Sequence, residues 1–474
     1  MKINNWITCS LVTALSACGG GGSSLPVTPT PPAELGTTFK TKSSNVIVEV
    51  FLPDAIRDWV KGAASPIRSI SAQANDDFAD LAAFGNAIGD ARIVSITEYA
   101  HGDANAFELM NRQVQYLHQK KGFDVLIMES AMFDVEAIWR SAMTKNASVA
   151  DLAAGRVFFM YSKTDSGRKV LHYIDQQKTS ARPLIFTGLG IPAGGDASIK
   201  EIAPALQLFL QNRKSTIPQQ SNWAQFANIA QQAAALTSAD IDKSVFYTVA
   251  DQIKAEICSD PTIAATPRET AGWWCLQIKG LVAAAQRQTT LAKTGELPRY
   301  DPRETQMASN ALWTIQQMHP NKKIIIWSNE VHGLNLKKEK CFLDNVRCEQ
   351  LVNPEIAYSM AAHLRDALGK QLYIAKNTAQ AGELTSFEGP GTFTLSNSLD
   401  NVLLSLNLLN SNQVFINAPS DGSMRTKLEK VKLPQNPSIL DRSFAVLGRE
   451  MDGLFYYPLA TPAIRKDYPT NPLP

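Results

Sequence analysis

Neither sign of charge dominates this chain. Its 474 residues hold 46 Lys and Arg against 44 Asp and Glu, a net charge of +2. No run of like charges forms an interaction tail, so nucleic acid is not expected as a partner. The spacings of tight metal sites are missing too: there is no C-x-x-C knuckle and no H-E-x-x-H. No resident metal and no cofactor is therefore expected. No Ser sits in a G-x-S-x-G elbow, which leaves a covalent serine route without support. Solenoid repeats are absent as well. What is present is ordinary for a globular protein, 45% apolar and 19% charged residues. That length and composition can bury the core of one large α/β domain or of two smaller ones.

The first residues read as a targeting signal. Met1-Lys2 is a short basic start, Trp6 to Ala14 is mostly apolar, and Leu15-Ser16-Ala17-Cys18 follows. Small residues before a cleavage point mark a secretory signal peptide over residues 1–17, too short to span a bilayer. Leu-Ser-Ala-Cys resembles the bacterial lipobox, in which Cys18 takes the lipid. The Gly/Ser/Pro-rich stretch 18–37 then reads as a spacer between a membrane anchor and a domain over 38–474. The expected location is the cell envelope, with the chain lipid-anchored in the periplasm or at the outer membrane. Beyond Cys9 and Cys18, four cysteines remain: Cys258, Cys275, Cys341 and Cys348. An even number in an oxidising compartment suggests disulfides. Three pairings are possible; Cys258–Cys275 and Cys341–Cys348 each close a short local loop and are favoured.

Along the domain, short apolar runs alternate with helical spacing. Candidate strands cover 45–52, 91–97, 123–128, 183–187, 323–327, 372–375, 413–417 and 453–457. Candidate helices cover 54–62, 76–88 and 103–120. Continuous apolar runs between helices read as buried parallel strands in βα units. Residues 198–296, rich in Ala, Gln and Lys, read as an inserted helical region. Residues 419–443, rich in Pro, Asn and Ser, read as irregular. The fold class is three-layer α/β with a mostly parallel sheet plus the helical insertion.

Open parallel sheets bind ligands beyond the carboxyl ends of their strands. The first such strand runs into Glu98-Tyr99-Ala100-His101-Gly102, the second ends in Glu129, and the KIIIW strand ends in Ser328-Asn329-Glu330-Val331-His332. Two of only six histidines thus stand at strand ends. The other four, His118, His172, His319 and His363, read as structural or exposed. Trp273-Trp274 reads as core. Imidazole is the usual base for hydrolysis near neutral pH, and a neighbouring carboxylate fixes its tautomer.

These blocks resemble the erythromycin esterase family. Glu98-Tyr99-Ala100-His101-Gly102 is similar to its G-E-x-x-H-G signature, with Thr97 in place of the leading Gly. Gly122-Phe123-Asp124 through Glu129 looks like its G-F-D-x-x-x-x-E. Arg303 to Asn310 looks like its R-D-x-x-M-A-x-N helix, and Trp327 to His332 occupies the place of its W-x-H-N-x-H. The likeness spans roughly residues 76–457. Asp103-Ala104-Asn105 replaces the usual T-x-E, Met110 stands where a basic residue is usual, and Asn329 where the first late histidine is. The resemblance implies hydrolysis of a small-molecule ester or macrolactone by water, without a tightly bound metal. His101 would be the general base, oriented by Glu98 or Glu129. His332 would hold the carbonyl or leaving group, and Arg112 would stabilise the oxyanion. Two alternatives stand beside this: a metal-dependent hydrolase using Glu98, His101, Glu129 and His332, and an envelope lipoprotein that binds a small ligand without reaction.

Overall fold

A computed structural model describes residues 36–43, 46–295, 301–337, 342–343, 346–347, 358–386, 391–394, 413–430 and 447–474. The signal peptide, Cys18, nearly all of the spacer and the Cys341–Cys348 pair lie outside the described residues. Strands β1 (Gly36–Ser43) and β2 (Val46–Pro53) form an antiparallel hairpin. A helix over Asp54–Ala63 leads into β3 (Ala64–Pro66). The main sheet continues with β4 (Ile93–Glu98), β5 (Phe123–Ala131), β6 (Ile185–Gly190) and β7 (Lys323–Asn329). Two-residue strands β8 (Phe342–Leu343) and β9 (Val346–Arg347) pair with each other. Then come β10 (Leu372–Thr385), β11 (Thr392–Thr394), β12 (Val414–Asn417) and β13 (Gly453–Ala460).

The order across the sheet is β3-β12-β13-β10-β4-β7-β5-β6, with β11 paired to the far end of β10. From β13 to β6 every neighbour is parallel, while β12 runs antiparallel to both β13 and β3. The alternation of side chains explains why the central strands are apolar throughout. Val94, Ile96, Leu126, Met128, Ile325 and Trp327 enter the core on one face. Ile93, Val125, Ile127, Ile324 and Ile326 enter the core on the other. A sheet covered by helices on both faces has no polar side to advertise.

Helices over Asp196–Asn212, Trp223–Ala234, Ser244–Ile257 and Ala271–Thr294 build a third core against Met132, Phe133 and Ala137 of the helix Met132–Lys145. Trp273 and Trp274 belong to it, with ring centroids 5.8 and 6.1 Å from Phe133. Cys258 and Cys275 form a disulfide that closes the loop between the last two of these helices. Within that loop Arg268 reaches Glu136 at 2.5 Å and lies 4.4 Å over the Phe133 ring. The bridge thus holds the loop that ties the helical region to the helix after β5. Among the described residues no helix is long and apolar enough to cross a membrane.

Four expected elements differ from the structure, and one of them, the strand expected at 372–375, runs on to Thr385. The helix expected from residue 76 begins only with a short 3-10 turn at Ala79 and the helix Ala82–Ile88. Asp76 accepts from the Phe78 amide at 3.0 Å, and Phe78 itself sits at φ +58°, so the carboxylate makes a turn there and not a helix cap. The strand expected at 183–187 is displaced to 185–190. The irregular stretch expected from 419 contains the helix Gly422–Lys430, started by the Asp421 carboxylate on the Ser423 amide at 2.8 Å.

Replacing Cys258 and Cys275 together by Ala should lower stability by about 2–4 kcal/mol through lost loop constraint. Urea unfolding of both proteins measures this, and an unchanged midpoint would show that the bridge restrains nothing.

Candidate active site

Strand β4 lies between β10 and β7, and its last residue delivers Glu98 into the fully buried end of the sheet. The chain must then turn sharply. Gly102 sits at φ +114°, and its carbonyl accepts from the amides of Thr385 at 3.0 Å and Ala463 at 2.8 Å. A Cβ there would stand 2.2 Å from the Thr385 carbonyl oxygen, so only glycine fits. Asp103 then caps the helix Ala104–Lys121, accepting from the Asn105 amide, the Thr461 amide and the Tyr457 hydroxyl. Burial pushes the Asp103 carboxyl up to about 6 against those bonds. This tight loop folds His101 back over the strand end. Its Nδ1 lies 2.6 Å from Glu98 Oε1, with the imidazole 17% exposed and the carboxylate wholly buried. With Nδ1 facing a carboxylate, Nε2 is the nitrogen turned away from Glu98. Phe158 packs on the ring at 4.6 Å between centroids, and Tyr161 meets it edge-on at 5.8 Å.

A second group of charges stands at the ends of β5 and β7. Strand β5 has a register shift against β6 between Met128 and Ala131. Glu129 lies in this irregular stretch, and its Oε2 accepts the Asn329 amide at 2.8 Å. Asn329 ends β7, caps the short turn Glu330–Gly333 through Val331, and donates to the Glu98 carbonyl at 3.4 Å. That turn presents His332. Its Nδ1 lies 2.6 Å from Glu304 Oε1 and its Nε2 3.2 Å from Glu129 Oε1. Arg303 completes the group, with Nη2 at 3.1 Å from Glu129 and Nη1 at 2.8 Å from His332 Nε2. Arg303 and Glu304 open the helix Pro302–Trp313, capped by Asp301. Asn310 of that helix donates to the Leu189 carbonyl of β6 at 2.9 Å.

Electrostatics joins the two groups. Burial opposes charge on Glu129, but His332, His101 and Arg303 hold its carboxyl well below the usual range. Glu304 is likewise depressed against burial by His332 and Arg303. Burial disfavours the imidazolium of His332, yet Glu304 and Glu129 outweigh it and push its pKa up to about 9. With the ring charged, Nε2 donates to Glu129 Oε1, which also accepts from Arg303 Nη2, and the 2.8 Å approach of Arg303 Nη1 to Nε2 is then a contact between two donors. A third pair, Lys376 Nζ to Glu330 Oε2 at 3.0 Å, is almost wholly buried and anchors the turn that carries His332 to β10.

The structure therefore brings Glu98 and His101 into contact and sets Glu129 beside His332. Arg112 goes elsewhere. Its fully buried guanidinium is occupied by Asp76, Asp80 and the Ser69 carbonyl, so it cannot face a substrate. Arg303, partly exposed, is the guanidinium beside the site. Asp76, Asp77 and Asp80 are the one group among the described residues whose acidic donors cluster closely enough for a metal. Arg68 and Arg112 already engage these three carboxylates. Sequence reasoning missed Tyr161, which lies in an apolar stretch and carries no motif. It missed the roles of Arg303 and Glu304, although their helix stood out as a block. Lys376, a lone charge inside an apolar strand, was the readable signal for the buried pair.

The model of the erythromycin esterase family matches residues 118–435, a stretch that holds Glu129, Arg303, Glu304 and His332 and begins after His101. The chain is 24% identical over 343 residues to the Bacillus subtilis protein YbfO, whose name calls it a hydrolase; the match spans 68% of this chain and 72% of that one. Among solved structures, a Bacillus cereus protein is similar at TM-score 0.65 and 17% identity, over 86% of this chain and 98% of its own. A succinoglycan biosynthesis protein is similar at TM-score 0.65 and 16% identity, with the same coverage. The erythromycin esterase EreC, a mutant in an open conformation, is similar at TM-score 0.58 and 12% identity, over 86% of this chain and 99% of its own.

The folded His332 ring keeps its proton to about pH 9, whereas an unfolded imidazole releases it near about 6.5. Its stabilising contribution is thus complete below about pH 6.5 and is lost as pH rises toward 9. Thermal unfolding between those values should show stability falling with pH, and His332→Gln should flatten the slope. Equal slopes in the two proteins would contradict the assignment.

Proposed function

The chain belongs to the erythromycin esterase family, and on that premise we propose that it hydrolyses an ester or macrolactone with His101 as general base. The observation that carries this reading is the 2.6 Å contact between His101 Nδ1 and the buried Glu98 carboxylate, on an imidazole that is itself partly exposed. Glu98 holds the Nδ1–H tautomer and supports the imidazolium as it forms. Nε2 takes a proton from water as its oxygen adds to the substrate carbonyl carbon. The negative charge then placed on the carbonyl oxygen needs donors in a site of low dielectric. Arg303, partly exposed at the start of its helix, is the cationic donor suited to that role, whereas both ring nitrogens of His332 face Glu304 and Glu129. Collapse of the tetrahedral intermediate expels the alkoxide, which takes the proton back from His101, and the acid and the alcohol are released.

We also place this reaction in the cell envelope. The reading is supported by the lipobox-like Leu15-Ser16-Ala17-Cys18 and by the Cys258–Cys275 bridge, which persists in oxidising compartments. In a Gram-negative host the full chain should sediment with membranes and Cys18→Ser should release it. Release of neither, or of both, would defeat the anchor.

Hydrolysis of a panel of aryl esters, sugar esters and macrolactones tests the reaction. His101→Gln should reduce kcat for any accepted substrate by about 100-fold or more, without altering thermal unfolding. A variant as active as the parent would sink this reading.

A further inference from the structure

The Glu98 carboxylate is wholly buried, and an imidazole nitrogen and a hydroxyl both approach one of its oxygens. His101 Nδ1 lies 2.6 Å from Oε1, and the Tyr161 hydroxyl donates to the same oxygen at 2.9 Å. Oε2 is also buried and has no hydrogen-bond partner among the described residues. Among the described residues the charge of Glu98 is therefore met at Oε1, by two groups sharing one oxygen. Tyr161 cannot turn away. It is fully buried, with its ring held edge-on by Phe107 at 5.5 Å, Phe158 at 5.2 Å and Trp327 at 5.8 Å. Burial, Glu98 and Glu129 raise its pKa well above 10, so it remains a proton donor across the working range.

We propose that Tyr161 is a positioning residue that sets how strongly Glu98 holds the proton of His101, and thereby the pH at which the dyad becomes a base. This rests on the reading of His101 as the base. The physical argument is one of net charge. When the dyad has released its proton it carries one full negative charge, on Glu98. When protonated it is an internally neutralised pair. A hydroxyl donating to Glu98 stabilises the first state more than the second. Tyr161 thus lowers the pH at which the ring is free to accept a proton from water. The other titratable groups facing the dyad are Glu129 of β5, whose charge interacts with that of His101, and Tyr457 of β13, which interacts with Glu98 and Asp103. Glu129 and Tyr457 act on the dyad through charge, whereas Tyr161 bonds Glu98 itself and is the direct lever on Oε1.

The test is Tyr161→Phe, which removes one oxygen and keeps the ring. The pH at which the His101 ring resonances titrate, followed by NMR on histidine-labelled protein and assigned with His101→Gln, should rise by about one unit. The acidic limb of kcat/KM for the substrate found by the ester panel should move with it. At the low-pH end the variant should be about tenfold slower than the parent, converging on it at high pH. In a Glu98→Gln background the same change should move neither reading. If Tyr161→Phe does not fold, 3-fluorotyrosine at position 161, a stronger donor of the same shape, should shift both readings to lower pH. A loss of rate equal at every pH, or an unmoved titration, would reduce Tyr161 to packing and overturn the proposal. If the titration moves but no ester is hydrolysed, the role of Tyr161 stands and the esterase reading falls. If hydrolysis depends on His101 while Tyr161→Phe changes neither reading, the reverse holds.

Discussion

Strand β4 is hydrogen-bonded along its length to β10 on one side and β7 on the other, with Glu98 in register with Asn377 and Asn329. That double pairing fixes where the strand ends, and the ends of three neighbouring strands then define one small volume. Asn377 donates to the Thr97 carbonyl, and Asn329 to that of Glu98. Asn329, at the end of β7, and Asn377, inside β10, thus hold the end of β4 just where its backbone leaves the sheet and would lose its partners. The rigidity of this edge allows a carboxylate to be buried and still aimed. Without it, the desolvation cost of Glu98 would be relieved by moving the side chain toward water, and His101 would lose its partner.

From this edge the site divides by charge. The Glu98–His101 dyad has a single carboxylate. The group around Glu129 alternates carboxylate and cation: Glu304, His332, Glu129, Arg303. Alternation keeps the second group close to neutral when His332 is protonated, which suits a buried cluster, since an unbalanced charge there would cost several kcal/mol. The position of Arg303 also explains how Arg112 can be spent elsewhere. Arg112 is locked in a bidentate arrangement with Asp76 and Asp80 and serves to fix the segment before β4. A guanidinium held by two carboxylates and a carbonyl has no donor geometry left for a transient oxyanion.

Much of the fold was legible because its strands are buried on both faces. Runs such as Phe123–Met128 and Lys323–Trp327 are apolar at every position the core reads. The site residues at strand ends were legible for a related reason: a titratable group directly after an apolar run stands out. Elements failed where a polar side chain had two local uses. Asp76 could cap a helix or make a turn, and the proximity of Arg68 and Arg112, 8 and 36 residues away in the chain, selected the turn. Asp421 had the same two options and here starts a helix. Tyr161 carried no signal, because a tyrosine among apolar residues reads as packing until the carboxylate it touches is known.

The sequence by itself determined the layered α/β architecture and the residues at its strand ends, because hydrophobic periodicity and local spacing are properties of the chain. It determined that Glu98 and His101 sit three residues apart, close enough to meet across one tight glycine turn. Only the tertiary structure decided which guanidinium faces the site and which tyrosine restrains Glu98. It also decided that His332 lies between two carboxylates. Arg303 and Glu129 are separated by 174 residues, and Tyr161 and Glu98 by 63. Contacts at such distances depend on how the layers pack and on where burial leaves a charge without water, and neither can be read along one dimension.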